Sequence, residues 1–326
     1  MNIEEKIDVV IPWVDGSDPI WNKKKNEYLS GNDESVDEMK SNNRFDDYGT
    51  LKYLFRSIEM YMPWVNNVFL VTDHQVPKWL DVARVKVVDH TEFIDGELPT
   101  FNSNVIVTSV YKISELSENF ILMNDDLVLW NRNLPEDYFI NELPVDVLVE
   151  NSVVPFQDGF FHISQNGTAL VNKIFNKREV MKNNFRKFFN LKYGFNQVRT
   201  LLSIPYGGFV GFYNPHLALA YRKSDFKNFE KIGMLELRNT WSNRFREPSD
   251  INDWAVRYYR NVKGDFVPGK LNGLYLTVGD FKKTVKVGPK VKMLVINDDG
   301  VRDEEILHNL EKILNDKFFE KSKYEL

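Results

Sequence analysis

The groups able to do chemistry in this chain gather where apolar runs stop. Asp15-Gly16-Ser17-Asp18-Pro19 follows the run Ile7–Trp13, and Asp73 follows Asn67–Thr72. Asp125-Asp126 closes the run Asn119–Asn124, and Asn297-Asp298-Asp299-Gly300 follows Met293–Ile296. Paired carboxylates offer hard oxygen ligands suited to Mg2+ or Mn2+ held together with phosphates. A histidine titrates near neutrality and can take a proton from a hydroxyl. A guanidinium forks onto phosphate oxygens. Each group also has an ordinary use. Asp-Asp and Asp-Gly steps make turns, arginines form surface ion pairs, and with His74, His90, His162, His216 and His308 present, a lone histidine says little.

The elements that must position these groups are legible as alternating patterns. Ile7–Trp13, Asn67–Thr72, Arg84–Val88 and Asn119–Asn124 are short, apolar and strand-like. Between them, Lys23–Met39 reads as a helix running into a loop. Tyr48–Tyr61 carries Leu51, Leu54, Phe55, Ile58 and Tyr61 at helical spacing, and Ser103–Leu116 also looks helical. Strands alternating with helices predict a mostly parallel sheet with both faces covered. Ligands bind beyond the carboxyl ends of such strands, which is where the carboxylates fall. Residues 156–262 change character and read as a mainly helical insertion that carries His216 and Arg246. Within it, Leu217–Phe229 reads as helical. The α/β pattern returns with the strand Met293–Ile296 and the helix Asp303–Asn315. The expected architecture is an α/β, Rossmann-like, nucleotide-sugar-transferase (GT-A-like) domain built from 1–155 and 263–326.

Bulk properties exclude several classes. The 326 residues can bury a large core. A net charge of −5 gives no basic excess for nucleic acid. The absence of cysteine removes disulfides, Cys–zinc sites and thiol catalysis, and it fits a reducing cytoplasm. Met1–Lys6 is polar and leads straight into a strand, so no signal peptide is expected. No apolar run reaches the roughly 18 residues of a spanning helix, so any membrane contact is expected to be peripheral.

Several strings resemble one known family. They are IDVVIPWVDGSDPIW at 7–21, Arg44-Phe45-Asp46, LKYLFRSIEMYMPW at 51–64, TDHQVPKWL at 72–80, LPTFNS at 98–103 and FILMNDD at 120–126. Asn214-Pro215-His216, NRFREPSDIN at 243–252, VINDD at 295–299 and EKSKYE at 320–325 continue the match in order. Together they resemble the Stealth family, bacterial capsular-polysaccharide phosphotransferases related to the animal lysosomal-enzyme N-acetylglucosamine-1-phosphotransferase. One departure is Val107, where the family usually carries Glu, so no carboxylate role transfers to that position.

The resemblance implies a reaction and roles. A saccharide hydroxyl would attack the sugar-bearing phosphorus of a UDP-sugar, leaving a phosphodiester and releasing UMP. His216 is then the expected base, with Asp126 as its rival, and Arg246 the expected grip on the diphosphate. Arg44 and Arg56 are further candidates for that grip. Asp15, Gly16 and Asp18 are expected at the nucleotide or metal, Asn102 at the sugar or merely as the cap of the following helix, Asn124 at the substrate, and Asp125, Asp126 and Asp298 at Mg2+ or Mn2+. Lys173–Lys192 carries seven cations and interleaved Phe175, Phe185, Phe188 and Phe189. It reads as a basic amphipathic helix for the inner face of the plasma membrane and a lipid-linked oligosaccharide acceptor, equally as a grip on an anionic polymer product, or as a solvated helix with core phenylalanines. Two rival readings share this scaffold: a metal-dependent glycosyltransferase that releases UDP, and a saccharide- or nucleotide-binding protein without turnover.

Overall fold

The computed structural model describes residues 6–29, 48–154, 159–283 and 285–326. The first strand, β1 (Ile7–Pro12), is buried along nearly its whole length, as a strand covered on both faces must be. Helix α1 (Pro19–Tyr28) starts at Asp18, whose side chain accepts from the Ile20 amide, with Pro19 at the first helical position. Next come α2 (Thr50–Tyr61), β2 (Val68–Thr72), β3 (Lys86–Asp89), α3 (Ser103–Ser109) and β4 (Asn119–Leu122). Helix α3 is shorter than expected and tightens into a 3-10 turn over Val110–Lys112. Its Val105, Ile106, Val107 and Thr108 are β-branched and poor helix formers. Val107 packs against the core, which accounts for an apolar residue there.

After β4 the chain turns at Asp125-Asp126 into β5 (Leu127–Leu129), then β6 (Phe139–Ile140) and β7 (Leu143–Asp146). Helices α4 (Phe160–Ile174), α5 (Lys177–Asn183), α6 (Phe185–Phe188) and α7 (Gln197–Ser203) follow. Then come β8 (Leu219–Arg222), α8 (Lys223–Trp241), α9 (Asp253–Lys263), β9 (Val267–Pro268), β10 (Gly273–Thr277), β11 (Met293–Asn297) and α10 (Glu304–Lys317).

The central sheet has the order β3-β2-β1-β4-β8, parallel except for β8. The fold is thus α/β with a parallel-rich sheet, as expected. Strand β8 is a correction: Leu217–Phe229 reads as helix, yet Leu219–Arg222 pairs antiparallel with β4 before α8 begins. The open edge of β4 overrides local propensity there. The stretch 156–262 does carry helices α4 to α9, but it also contributes a strand to the central sheet. It is not a separate helical insertion in that sense.

A second correction concerns 173–192, which is not one helix. Asn176 caps α5 through the amides of Arg178 and Glu179, and Asn190 caps a 3-10 turn at Leu191–Asn196. Lys177 turns inward onto Glu150 at 2.9 Å, with both side chains buried. No helix among the described residues is long and apolar enough to cross a membrane.

The chain's last residues lock onto α2. Arg56 donates from Nε and Nη2 to both oxygens of Glu325, at 2.7 and 2.8 Å, and from Nη1 to the Phe318 carbonyl at 2.7 Å. Both side chains are buried, so Arg56 is fully engaged inside the fold and cannot grip a diphosphate. Removing one partner of a buried pair leaves an uncompensated charge. Glu325→Ala is expected to cost about 2–3 kcal/mol, reduced somewhat by the remaining Phe318 contact. Urea denaturation reads this directly, and an unchanged midpoint would show the pair to be dispensable.

Candidate active site

The chain runs β1, β2, β3 outward on one side of β1, then returns to place β4 on the other side. That reversal opens a crevice between the carboxyl ends of β1 and β4, the usual ligand position in such sheets. Asp15–Asp18 leaves β1 on one wall, and Asn124-Asp125-Asp126 leaves β4 on the other. Because β8 is antiparallel and Leu219 pairs with Leu122, the residues before β8 arrive at this same end. His216 is thereby delivered to the end of β4.

His216 Nε2 lies 3.2 Å from Asn124 Nδ2 and 3.6 Å from Asp126 Oδ2. The donor in the Asn124 contact depends on the imidazole tautomer, and the Asp126 carboxylate stands beside the same ring nitrogen. The backbone of His216 is held at φ 50°, in the left-handed region that a non-glycine residue rarely adopts. Such strain persists only where the surroundings enforce it, typically at functional sites. Two contacts enforce it here. Arg257 donates to the Tyr213 carbonyl and to Asn214 Oδ1, both at 2.9 Å. Leu217 packs on β10 at Gly273, where any Cβ would run into its side chain.

Tyr275 of β10 meets the His216 ring edge-on at 5.9 Å between centroids and is nearly half exposed. Partial burial and the carboxylates of Asp126 and Asp299 push its phenol above the ordinary value. An exposed ring beside a base is a surface on which a sugar can stack. Sequence reasoning passed over Tyr275, since nothing in a surplus of aromatics separates a wall of a site from the core.

The acidic groups divide into engaged and available. Asp126 Oδ1 is buried and has no hydrogen-bond partner among the described residues, an arrangement that calls for a ligand. Asp298 instead receives Tyr48 Oη at 2.6 Å, Gly300 N at 2.7 Å and the Arg302 guanidinium at 3.1 Å. Burial raises its carboxyl, but Arg302, Tyr48 and Gly300 outweigh that and hold it below the ordinary value. Asp298 is therefore already neutralised and is not an available metal ligand. Asp125 accepts from Thr50 Oγ1 through its carbonyl at 3.0 Å. Among the described residues, the one trio of potential ligands that closes to within 4.8 Å is elsewhere: Asp73, His74 and Asp89, at the ends of β2 and β3. Lys24 sits on Asp73 at 2.6 Å and His74 Nδ1 on Asp89 at 2.9 Å, so this trio carries its own cation.

The β1 wall is built by side chains that shape its turn. Asp15 Oδ1 accepts from Ser17 N and Oγ at 2.8 and 2.6 Å. Gln75 Nε2 donates to the Asp15 carbonyl at 3.0 Å and to Asp18 Oδ2 at 3.1 Å. The Gln75 hydrogen bond and the Ile20 amide hold the Asp18 carboxyl below its ordinary value. Gly16 contributes its carbonyl to Asn22 Nδ2. Gln75 escaped sequence reasoning because its partners lie 57 and 60 residues away.

Arg246 is joined to the first residue of α3, donating from Nε and Nη2 to Ser103 Oγ at 3.0 and 2.6 Å. Of its two expected roles, Asn102 takes the capping one and not the sugar-binding one. It is fully buried, caps α3, and donates to the carbonyls of Asn243 and Phe245 and to Asp250 Oδ2. It therefore fixes the loop that carries Arg246 and does not touch a sugar. Trp21 and Phe101 meet edge-on at 5.4 Å, and Phe101 stacks on Phe245 at 5.2 Å, which joins α1 to the same loop. Arg44 lies outside the described residues.

Comparison with known proteins agrees with this arrangement of blocks. Residues 5–33 match Stealth protein CR1, conserved region 1, and residues 44–146 match Stealth protein CR2, conserved region 2. The capsular polysaccharide phosphotransferase WcwK of Streptococcus pneumoniae is 34% identical over 98% of each chain. The exopolysaccharide phosphotransferase cps2G of Lactiplantibacillus plantarum is 38% identical, covering 96% of this chain and 93% of its own. The receptor polysaccharide phosphotransferase WefC of Streptococcus oralis is 35% identical over 98% of this chain and 99% of its own. Among solved structures, the galactosyltransferase LgtC aligns over 97% of this chain and 98% of its own, at a TM-score of 0.43 and 9% identity. Relatedness to the curated sequences over almost the whole of both chains, with regions 1 and 2 containing Asp15–Asp18 and Asn124–Asp126, makes this chain a member of the Stealth family and a transferase enzyme.

Proposed function

We propose that the chain transfers a hexose-1-phosphate, such as an N-acetylhexosamine-1-phosphate, from a UDP-sugar to a saccharide hydroxyl during capsular or cell-surface polysaccharide synthesis. The observation that carries this reading is the position of His216 Nε2 beside Asn124 and Asp126 at the crevice mouth. His216 takes the acceptor's hydroxyl proton as the oxygen attacks the sugar-bearing phosphorus. The bond from that phosphorus to the bridging oxygen breaks, UMP leaves, and the sugar's own C–O bond is untouched. Arg246, fixed at the start of α3, faces the task of holding phosphate oxygens. Asp15–Asp18 borders the nucleotide, and Asn124 and Tyr275 border the sugars.

Mg2+ or Mn2+ fits one part of the donor set. Asp126 Oδ1 is a buried oxygen without a partner among the described residues. Such ions are commonly held through one or two carboxylates together with substrate phosphates. Asp126, with Asp125 beside it, would hold the ion, which when bound supplies positive charge to the diphosphate.

The test is the identity of the nucleotide released. With Mg2+, a panel of UDP-sugars and saccharide or lipid-linked acceptors, acceptor-dependent UMP is expected. Acceptor-dependent UDP would make the enzyme a glycosyltransferase and sink the phosphodiester reading.

A further inference from the structure

The segment from α6 through α7 is built inside out. Helix α7 buries Thr200 and Ser203 and turns Leu201 and Leu202 outward, Leu202 with 72% exposure. An ordinary surface helix does the reverse. The buried side is committed: Thr200 Oγ1 accepts from the Glu150 amide at 3.1 Å, and the Ser203 carbonyl accepts from Lys177 Nζ at 2.7 Å. That links α7 to the buried Lys177–Glu150 pair, so the helix cannot rotate its aliphatic side inward. Just before it, Leu191 is 100% exposed and Phe195 90%, and Phe185 of α6 is 60% exposed. Scattered single apolar residues are normal on a surface, but a run of large ones within some twenty residues marks an interaction face.

Charge identifies the partner. No Asp or Glu occurs from residue 180 to 224. Lys182, Arg186, Lys192 and Arg199 are exposed along the apolar run. Among the described residues, Lys192 and Arg199 meet neutral groups: the Pro268 carbonyl for Lys192, the Asn151 side-chain amide and the Tyr213 ring for Arg199. A second copy of the chain would bring like charges face to face in an isologous contact. Exposed Leu and Phe flanked by unneutralised cations match an anionic bilayer surface, where rings and aliphatics enter the interface and cations meet the headgroups.

We propose that the face formed by residues 185–206 docks the enzyme onto an anionic membrane surface. This displaces the sequence-based expectation toward the carboxyl side of 173–192, whose Lys177 and Phe188 are buried. From Tyr206 to His216 the chain runs ten residues, at most about 35 Å when extended. Docking therefore holds the base within reach of an acceptor saccharide carried on a lipid. That last consequence rests on the sugar-phosphate reading; the docking itself does not.

The test is co-sedimentation of the full chain with vesicles. Phosphatidylcholine vesicles carrying phosphatidylglycerol are compared with phosphatidylcholine alone. The expected result is binding to the anionic vesicles only. Two variants, Leu191→Ser/Phe195→Ser/Leu202→Ser and Lys182→Gln/Arg186→Gln/Lys192→Gln, are each expected to weaken it at least about tenfold. Neither variant touches the crevice, so nucleotide release with a water-soluble acceptor stays at the wild-type rate, which also reports folding. Wild-type protein left in the supernatant with both vesicle kinds overturns the proposal, as does vesicle binding unchanged in the folded variants. A wild-type dimer that the apolar variant breaks, without vesicle binding, would assign the face to a second copy instead. Loss of all transferase activity on every donor would defeat the reaction reading and leave the vesicle result standing.

Discussion

His216→Ala is expected to lower acceptor-dependent nucleotide release by about 10²–10⁴-fold, the usual contribution of a positioned general base. The donor's KM should change little, because in the proposed reaction the imidazole acts on the acceptor's hydroxyl. The expectation rests on three independent features of one residue. Its Nε2 lies against Asn124 and beside Asp126. Its backbone is held in a left-handed conformation that costs energy. Its loop is gripped from behind by Arg257 and by the Leu217–Gly273 contact. A histidine with only structural duties would need none of these. The rival base is Asp126, and the two are separable. If His216 removes the proton, His216→Ala loses rate while donor and metal binding stay, whereas Asp126→Asn keeps part of the rate and weakens donor and metal binding. If Asp126 is the base, the pattern reverses. A His216→Ala enzyme that releases nucleotide at the wild-type rate would remove the residue from the chemistry altogether.

What was legible beforehand follows from the range of the forces involved. Strands β1, β2, β4 and β11 announce themselves because a doubly covered strand needs a continuous apolar run, and IDVVIP, VFLVT, NFIL and MLVIN supply it. Strand β8 does not, because LAYR becomes a strand only through pairing with β4, about a hundred residues earlier in the chain. The same limit governs the site. Asn124, Asp126 and His216 were each nameable from sequence, and the antiparallel return of β8 is what brings them together. Arg56 and Asn102 went the other way. An arginine that will be buried against a carboxylate 269 residues away looks like one that will meet a phosphate. An asparagine that caps a helix and clamps a distant loop looks like one that meets a sugar. The basic run at 173–192 was legible as charge, but not its breaks at Asn176 and Asn190, nor the inverted packing of α7. Those depend on the buried Lys177–Glu150 pair, which spans 27 residues.

A buried cluster far from the crevice mouth should prove as decisive for the site as the crevice residues. Asp146, at the end of β7, accepts from Arg257 Nη2 on Oδ1 at 2.7 Å, and on Oδ2 from Asn261 Nδ2 at 2.9 Å and from the Arg260 guanidinium. All these groups come from α9 and are buried. Asp146→Ala would leave two buried guanidiniums sharing little beyond Asp225, which lies 3.5 Å from Arg260. The expected cost is about 3–5 kcal/mol, a large part of a typical domain's stability. Function should fail with it, because Arg257 also holds Tyr213 and Asn214, and through them the His216 loop. The pH dependence gives a second readout. Burial pushes the Asp146 carboxyl up, but Arg257, Arg260 and Asn261 more than offset this and hold it below the ordinary value. A depressed folded value means that this stability is present above the unfolded carboxylate value of about 3.9 and is lost as pH falls through the folded value. The gap between wild type and Asp146→Ala in urea unfolding should therefore be widest near neutrality and close on acidification. A gap below about 1 kcal/mol at neutral pH, or one that widens in acid, would show that the guanidiniums find other partners. In that case the support for His216 would have to come from the Leu217–Gly273 contact alone.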